Sequence, residues 1–144
     1  MMRHIAKRSD VCLFDDSHSL RATWEITESC NARCRHCCVG AGHDGFYGLP
    51  TEVLLRAVSD MEALGVTAVY LTGGEPLIRR DIRSILSRLS HVQDMKIYLV
   101  TNGWFVDRET TAFLKSMGLT ALAVSLDSSD RKSHDDFRGH AGMF

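Results

Sequence analysis

Proline, aromatic side chains and net charge are all scarce in this sequence. Of its 144 residues only two are proline and 8% are aromatic, and the formal net charge is −1. Because lysine and arginine are spread along the chain without a basic excess, we expect no nucleic-acid partner. No apolar run is long enough to cross a membrane or to act as a signal peptide, so we expect a cytoplasmic protein without membrane contact.

Hydrophobic residues, which make up 44% of the chain, are plentiful enough for one globular domain with its own core. Their spacing changes repeatedly between the strand and the helix period. Strands are predicted at 21–27, 66–71, 96–100 and 121–127, and helices at 51–64, after Asp81 and at 107–117. Thr51 is expected to cap the first helix. This succession predicts an α/β fold in which right-handed crossovers build a parallel sheet.

Each predicted strand is followed by an unusual loop. The stretch ESCNARCRHCC follows the first strand, TGGEP the second, TNG the third, and SLDSS lies at the end of the fourth. Because the carboxyl ends of parallel strands meet at one edge of a sheet, we expect these four loops to build one site.

The loop after the first strand is rich in cysteine. Cys30, Cys34 and Cys37 are separated by three and then two residues, so the loop can present three sulfurs to one centre. In a reducing compartment such cysteines are more often metal ligands or redox groups than disulfides. An iron–sulfur cluster usually takes four thiolates, so three would leave one iron open to a small molecule. Cys38 is expected to point away from this centre, as a small buried residue.

Two other kinds of site remain possible for this loop. Zinc could be held by the same three cysteines with His36 or Cys38 as the fourth ligand, which would make the protein a zinc-stabilised binding module. Cys12 stands alone near the N-terminus, so the second cysteine pair of many zinc sites is absent from the sequence. A plain electron-transfer cluster would need a fourth protein ligand.

The order of the motifs resembles the radical S-adenosylmethionine (radical SAM) enzymes, in which Cys-x-x-x-Cys-x-x-Cys follows the first strand and Gly-Gly-Glu-Pro the second. The resemblance covers residues 21 to about 139 and includes the peptide- and haem-modifying maturases of the SPASM type. It implies the N-terminal half, about four strands, of a partial TIM-like barrel. It also implies that Cys30, Cys34 and Cys37 hold a 4Fe-4S cluster that reductively cleaves S-adenosylmethionine to a 5′-deoxyadenosyl radical for hydrogen abstraction.

The resemblance further assigns the TGGEP turn to the amino group of S-adenosylmethionine. Gly73 and Gly74 allow backbone to approach a ligand closely, Glu75 adds a carboxylate for the same cation, and Pro76 completes the turn. An ordinary Gly-Gly turn is the structural alternative. His36 occupies the position that lies near the adenine in the family, and a solvated loop histidine is its alternative.

Two polar residues near the end of the fourth strand are candidate ribose ligands. Ser125 and Asp127 are two positions apart, so on a strand their side chains would point to the same face. The resemblance implies that they bind the ribose hydroxyls, whereas a polar strand end that caps the next loop is the alternative. No catalytic acid or base is implied.

Two further side chains could reach the cofactor. Asn102 either lines the pocket or serves with Gly103 in a turn that needs positive backbone angles. Arg138 could bind the cofactor carboxylate, or it could form a surface pair with Asp135 or Asp136.

We expect residues 1–20 to form an N-terminal extension and 21–144 a radical SAM core that stops after its fourth strand, with a fourth helix only beginning at Arg138. Family members build six or more strands, so we expect an N-terminal fragment of a longer enzyme. The partners implied by the resemblance are a peptide or small-molecule cofactor precursor as substrate, and an electron donor such as flavodoxin or ferredoxin.

Overall fold

The computed structural model describes residues 19–41 and 48–144, and within them one parallel sheet has the strand order β1-β2-β3-β4. The strands are β1 (Leu20–Glu25), β2 (Val66–Thr72), β3 (Lys96–Thr101) and β4 (Ala121–Val124). The helices are α1 (Thr51–Ala63), α2 (Ile82–Ser90), α3 (Arg108–Ser116) and α4 (Arg131–Arg138), and a short 3₁₀ helix spans Pro76–Ile78. None of the described helices is both long and apolar enough to cross a membrane.

The sheet is wound in one direction. Each crossover moves the chain to the next strand on the same side, and all three strand pairs are parallel. This sequential order is that of a (βα) barrel wall, and it brings the carboxyl ends of all four strands to one edge. The predicted α/β class and the four parallel strands are therefore confirmed.

The core lies between the central strands and the helices that cover them. Leu71, Ile97 and Leu99 in β2 and β3 are almost fully buried. The apolar positions predicted for the second helix are all buried as well, namely Ile82, Ile85, Leu86 and Leu89. Burying side chains of this size contributes about 1.5–3 kcal/mol each, so the loops at the strand ends are attached to a rigid support.

The predicted cap of the first helix and the predicted end of the fourth strand are wrong. The first helix is preceded by Pro50, and Thr51 makes no cap; its hydroxyl instead donates to the Asp81 carboxylate at 2.6 Å. Strand β4 ends at Val124, because its partner β3 ends at the facing residue Thr101. Ser125 and Asp127 consequently lie in the loop after the strand rather than on one of its faces.

A fourth helix precedes the position at which we expected one to begin. Helix α4 starts after Asp130, whose carboxylate accepts from the Ser133 nitrogen at 2.8 Å, and it ends at Gly139 with φ of 64°. Its sequence, RKSHDDFR, contains a single large apolar residue, so hydrophobic periodicity could not reveal it. The cap residue and the terminal glycine were the available signals.

Candidate metal centre

The loops after the four strands surround one cavity of about 340 Å³. Its lining includes most of the predicted site residues: Cys30, Cys34, His36, Cys37, Gly73, Gly74, Asn102, Ser125 and Arg138. Glu75, Pro76 and Asp127 are not part of that lining. The motifs that are separate in the sequence therefore meet at the carboxyl edge of the sheet.

The sulfurs of the three predicted metal ligands each accept a hydrogen bond from nitrogen. The contacts are Ala32 N to Cys30 at 3.4 Å, Arg138 Nη1 to Cys34 at 3.6 Å, and Ala41 N to Cys37 at 3.3 Å. Donors aimed at sulfur stabilise thiolates and tune the potential of a cluster bound to them. The loop is thus arranged around these three sulfurs.

Cys38 differs from its three neighbours. It is exposed at the rim of the cavity, whereas the other three cysteines of the loop are half-buried. The prediction of a small buried residue is wrong, because none of the residues that the structure describes covers the Cys38 side chain. Cys12 lies outside the described residues.

The donors present at this site are of the type that a cluster takes. Iron–sulfur clusters are held by cysteine thiolates, usually one per iron, and the same donor type also binds zinc. The loop supplies three thiols, each with an N–H donor directed at its sulfur. The donor set therefore fits a cluster that keeps one iron open.

The electrostatic setting of Cys30 also favours a cationic occupant. Burial raises the pKa of its thiol above the ordinary value of 9.0, and the nearby Glu75 and Cys34 act in the same direction. Hydrogen bonds from Ala32 and Asn102 oppose the rise. A metal centre in the cavity would supply the positive charge that the thiolate lacks.

Glu75 is fully buried and its carboxylate is bound by the protein itself. Oε1 accepts from the Leu77 nitrogen at 3.0 Å and from the Thr101 hydroxyl at 2.8 Å, and Oε2 accepts from the Asn102 nitrogen at 2.7 Å. Burial raises the pKa of this carboxyl, while the three donors oppose the rise. Pro76 follows as the buried first residue of the 3₁₀ helix. Glu75 thus joins the turn after β2 to the turn after β3.

The two glycines of the turn allow a close approach to the cysteine loop. The Gly74 nitrogen donates to the Thr27 carbonyl at 2.7 Å, and the Glu75 nitrogen donates to the Ser29 carbonyl at 2.8 Å. A Cβ on Gly73 would collide with the Thr27 carbonyl, and one on Gly74 with Ser29. The close approach that we expected toward a ligand is therefore made toward backbone, although both glycines also line the cavity.

Asn102 connects the third loop to the first. Its side-chain nitrogen donates to the Asn31 side-chain oxygen at 2.8 Å and lies 3.9 Å from the Cys30 sulfur. Its own oxygen accepts from the Trp104 nitrogen, and Gly103 adopts φ of 88°. Asn102 lines the cavity while the glycine serves the turn. Asn31 is a contact that we did not predict.

Arg138 points inward from the end of α4. It is 8% exposed, forms an ion pair with Asp127 at 2.5 Å and lines the cavity beside Cys34. The alternative of a surface pair is wrong, because Asp136 binds Lys132 and Asp135 accepts from backbone nitrogens near the C-terminus.

His36 is exposed and stacks on Phe137, with ring centroids 4.7 Å apart and planes inclined by 12°. Its Nε2 lies 3.9 Å from the Asp127 carboxylate. His134, which we did not single out, is buried and accepts a hydrogen bond from the Asp127 nitrogen at 3.2 Å. His36 thus stands between the cysteine loop and α4.

The backbone of the cysteine loop is also tied to the end of α4. The Arg33 nitrogen donates to the Arg138 carbonyl at 2.9 Å, and the Arg35 nitrogen donates to the Phe137 carbonyl at 3.0 Å. A Cβ on Gly139 would lie 2.5 Å from the Arg33 carbonyl oxygen. The polar helix that sequence reasoning missed is consequently a wall of the site.

Comparisons with known proteins point to one family. The radical SAM superfamily model matches residues 24–142. The chain is 35% identical over 122 residues to the Fe-coproporphyrin III synthase of Methanosarcina barkeri, covering 84% of this chain and 30% of that protein. It is 38% identical over 125 residues to the GTP 3′,8-cyclase of Photorhabdus laumondii, covering 83% and 37%. The chain spans about a third of the length of these curated relatives.

Solved structures share the fold. Streptococcus suis SuiB bound to its precursor peptide SuiA gives a TM-score of 0.73 at 22% identity, over 85% of this chain and 28% of that chain. SuiB bound to S-adenosylmethionine gives 0.72. The family match includes the cysteine loop, all four strand ends and α4. The chain therefore belongs to the radical SAM superfamily.

Proposed function

We propose that the chain is the cofactor-binding part of a radical SAM enzyme, with a 4Fe-4S cluster on Cys30, Cys34 and Cys37 and S-adenosylmethionine in the adjoining cavity. The observation that carries this proposal is the set of three thiols, each accepting an N–H hydrogen bond beside one cavity. When bound, the two cofactors supply one-electron reductive cleavage and hydrogen abstraction from a substrate.

Arg138 is the residue that we assign to the carboxylate of S-adenosylmethionine. Its guanidinium is buried, lines the cavity and lies next to the Cys34 sulfur. A guanidinium matches a carboxylate with two parallel hydrogen bonds. Asp127, which does not line the cavity, orients Arg138 through their ion pair. We therefore give Asp127 a positioning role instead of a direct contact with ribose.

We assign other groups that line the cavity to the remaining parts of S-adenosylmethionine. Gly73 and Gly74 offer backbone at the strand end for the amino group, Ser125 offers a hydroxyl for the ribose, and His36 provides a ring beside the adenine. Asn102 holds the adjoining loop through Asn31 and Cys30. Glu75 and Pro76 act beneath the cavity, by fixing the turn.

The substrate that we propose is a peptide or a small-molecule cofactor precursor. This breadth follows the relatives, whose names include a coproporphyrin synthase and a GTP cyclase, and SuiB, which binds a precursor peptide.

An acidic one-electron donor of the flavodoxin or ferredoxin kind, in a reducing cytoplasm, completes the proposal. Arg33 and Arg35 flank Cys34, are exposed, and form no ion pair with a carboxylate of the described residues. Unpaired surface cations beside the redox centre would steer such a donor. Exchanging both arginines for glutamate should slow reduction by flavodoxin but not by dithionite; equal rates with flavodoxin would contradict this surface.

Electron paramagnetic resonance of anaerobically reconstituted, reduced protein tests the main proposal. A four-iron signal that changes when S-adenosylmethionine is added is expected for the wild type and for Cys38→Ser. Cys34→Ser should lose that signal. Stoichiometric zinc without iron, or a cluster that survives Cys34→Ser, would overturn the assignment.

A further inference from the structure

The two ends of the cysteine loop are held by one buried arginine that belongs to neither end. The Arg79 side chain is 1% exposed. Its Nη1 donates to the Ile26 carbonyl at 2.8 Å, where the chain leaves β1, and its Nη2 donates to the Leu49 carbonyl at 3.0 Å, where the chain returns to α1. Arg79 therefore spans the loop at its base.

Arg79 is itself fixed by Asp81. Nε lies 2.8 Å from Oδ1 and Nη2 lies 2.6 Å from Oδ2, which is the two-pronged pairing of a guanidinium with a carboxylate. The Thr51 hydroxyl adds a third hydrogen bond to the same carboxylate at 2.6 Å. Hydrogen bonding from Arg79 holds the pKa of Asp81 below its ordinary value of 3.8. Asp81 consequently fixes the orientation of the Arg79 guanidinium independently of its contacts with the cysteine loop.

Gly48 shows how closely the two ends approach each other. A Cβ at this position would lie 2.6 Å from Arg79 Nη1 and 2.7 Å from the Ile26 carbonyl oxygen, and the residue adopts φ of 110°. Only glycine fits both the space and the backbone angle without strain. The start and the end of the loop thus touch through the arginine.

The loop between Ile26 and Leu49 is long, and bringing its two ends together costs conformational entropy. If its base were loose, a cluster would have to gather the three thiols as it bound, and that ordering would reduce its affinity. A base that is already closed avoids this cost. Two charge-assisted hydrogen bonds from a buried group are strong enough to provide the closure.

We infer that Arg79 is a positioning residue for the metal ligands, which keeps Cys30, Cys34 and Cys37 in place before any cluster is present. The purpose of this clamp rests on the proposed function, but the clamp can be tested in metal-free protein. The planar fork is essential to it, because a lysine at this position offers one point charge and cannot bind both carbonyls and Asp81 together.

Iodoacetamide labelling of the metal-free full chain, resolved by mass spectrometry, reports on each thiol separately. In Arg79→Gln we expect labelling of Cys30 to be about tenfold faster, because about 1.4 kcal/mol of lost loop closure corresponds to that factor. Arg79→Lys should fall between Arg79→Gln and the wild type. Cys38 is exposed already and should keep its rate within about twofold.

A matched variant separates the clamp from general stability. Arg88→Gln removes a cation that joins α2 to Glu62 of α1 on the surface, and it should leave the labelling rates of the four loop cysteines unchanged. The accelerated labelling in Arg79→Gln should be independent of low concentrations of urea, since local opening exposes little surface. Gly48→Ala disturbs the same contact from the loop side and should accelerate the labelling of Cys30 in the same way.

Three results would overturn the inference: an unchanged Cys30 rate in Arg79→Gln, an acceleration as urea-dependent as global unfolding, or an equal effect of Arg88→Gln. If Arg79→Gln does not fold, Arg79→Lys and Gly48→Ala decide the question with the same readout. Failure of the wild type to take up iron would contradict the proposed function, whereas the labelling rates would still judge the clamp. With a cluster loaded, the clamp predicts faster loss of iron to a chelator in the same variants.

Discussion

The buried carboxylate of Glu75 accepts a hydrogen bond from the backbone nitrogen of Asn102 at 2.7 Å, and this contact joins the two loops at the centre of the site. Asn102 in turn reaches Asn31 and the Cys30 sulfur. Glu75, which the motif assigns to ligand binding, is therefore connected through Asn102 to the cysteine loop by hydrogen bonds that lie beneath the cavity.

Replacement of Glu75 by glutamine should destabilise the fold. All three partners of the carboxylate are donors, so an amide nitrogen must face one of them, and a buried donor left without an acceptor costs about 1–3 kcal/mol. Urea unfolding of Glu75→Gln measures the loss. Glu109→Gln, at an exposed carboxylate paired with Arg83, is the control and should change the free energy of unfolding by less than about 1 kcal/mol. Equal stabilities of the two variants would contradict the buried role.

Gly74→Ala should displace the cysteine loop. A methyl group at this position collides with the Ser29 backbone, which cannot move aside without breaking the hydrogen bond from Glu75. We expect a loss of stability greater than that of Gly118→Ala, where no atom lies within 4 Å and only the positive φ is unfavourable, at about 1 kcal/mol. Thermal unfolding of both variants makes the comparison. A smaller effect at Gly74 would mean that the turn has room to adjust.

Arg138→Gln should weaken binding of S-adenosylmethionine to the reconstituted protein. Loss of a charge-assisted hydrogen bond to a carboxylate costs about 1.5–3 kcal/mol, so the dissociation constant should rise by about tenfold or more. Arg138→Lys should show an intermediate value, since it keeps the charge but not the fork. Calorimetric titration measures the constants, and Lys132→Gln on the outer face of α4 serves as the control. An unchanged constant in Arg138→Gln would remove this residue from the cofactor site.

The acid stability of the chain should depend on Asp81. Its pKa in the folded state is lowered by Arg79, so the folded protein binds a proton less readily than the unfolded chain. The stabilisation that follows is complete above the unfolded pKa, near 3.8, and is lost as the pH falls through the lower folded value. Urea midpoints measured from pH 6 downward should therefore fall less steeply for Asp81→Asn, in the acid range, than for the wild type. If the urea midpoints of the wild type and of Asp81→Asn fall equally with decreasing pH, the ion pair with Arg79 does not contribute to the acid stability of the chain.

The sequence was most informative where one residue type or one period dominates. Three thiols at fixed spacing predicted that Cys30, Cys34 and Cys37 lie together, and all three line one cavity. Apolar residues three and four apart predicted the buried face of α2. The fold follows from the same signals, because four strands separated by crossovers have few arrangements.

The sequence was least informative where a contact joins distant positions. The direction of the Glu75 side chain depends on two donors at the carboxyl end of β3, Thr101 and Asn102, and nothing around the motif itself indicates that they bind the carboxylate. Arg79 reads as an ordinary arginine until Ile26 and Leu49 are brought together in space. Helix α4 has almost no apolar face, so its contacts with the cysteine loop became apparent only in the structure.

The closure of the cysteine loop by Arg79 also has a consequence for biosynthesis. The arginine is made 30 positions after Leu49 and 53 after Ile26, so a growing chain cannot join the two ends until β2 and the 3₁₀ helix that follows it have left the ribosome. The support from α4 arrives later still. Under the proposed function, machinery that delivers iron during translation would therefore meet an open loop, and the proposed cluster could be held stably only after these downstream segments have been synthesised.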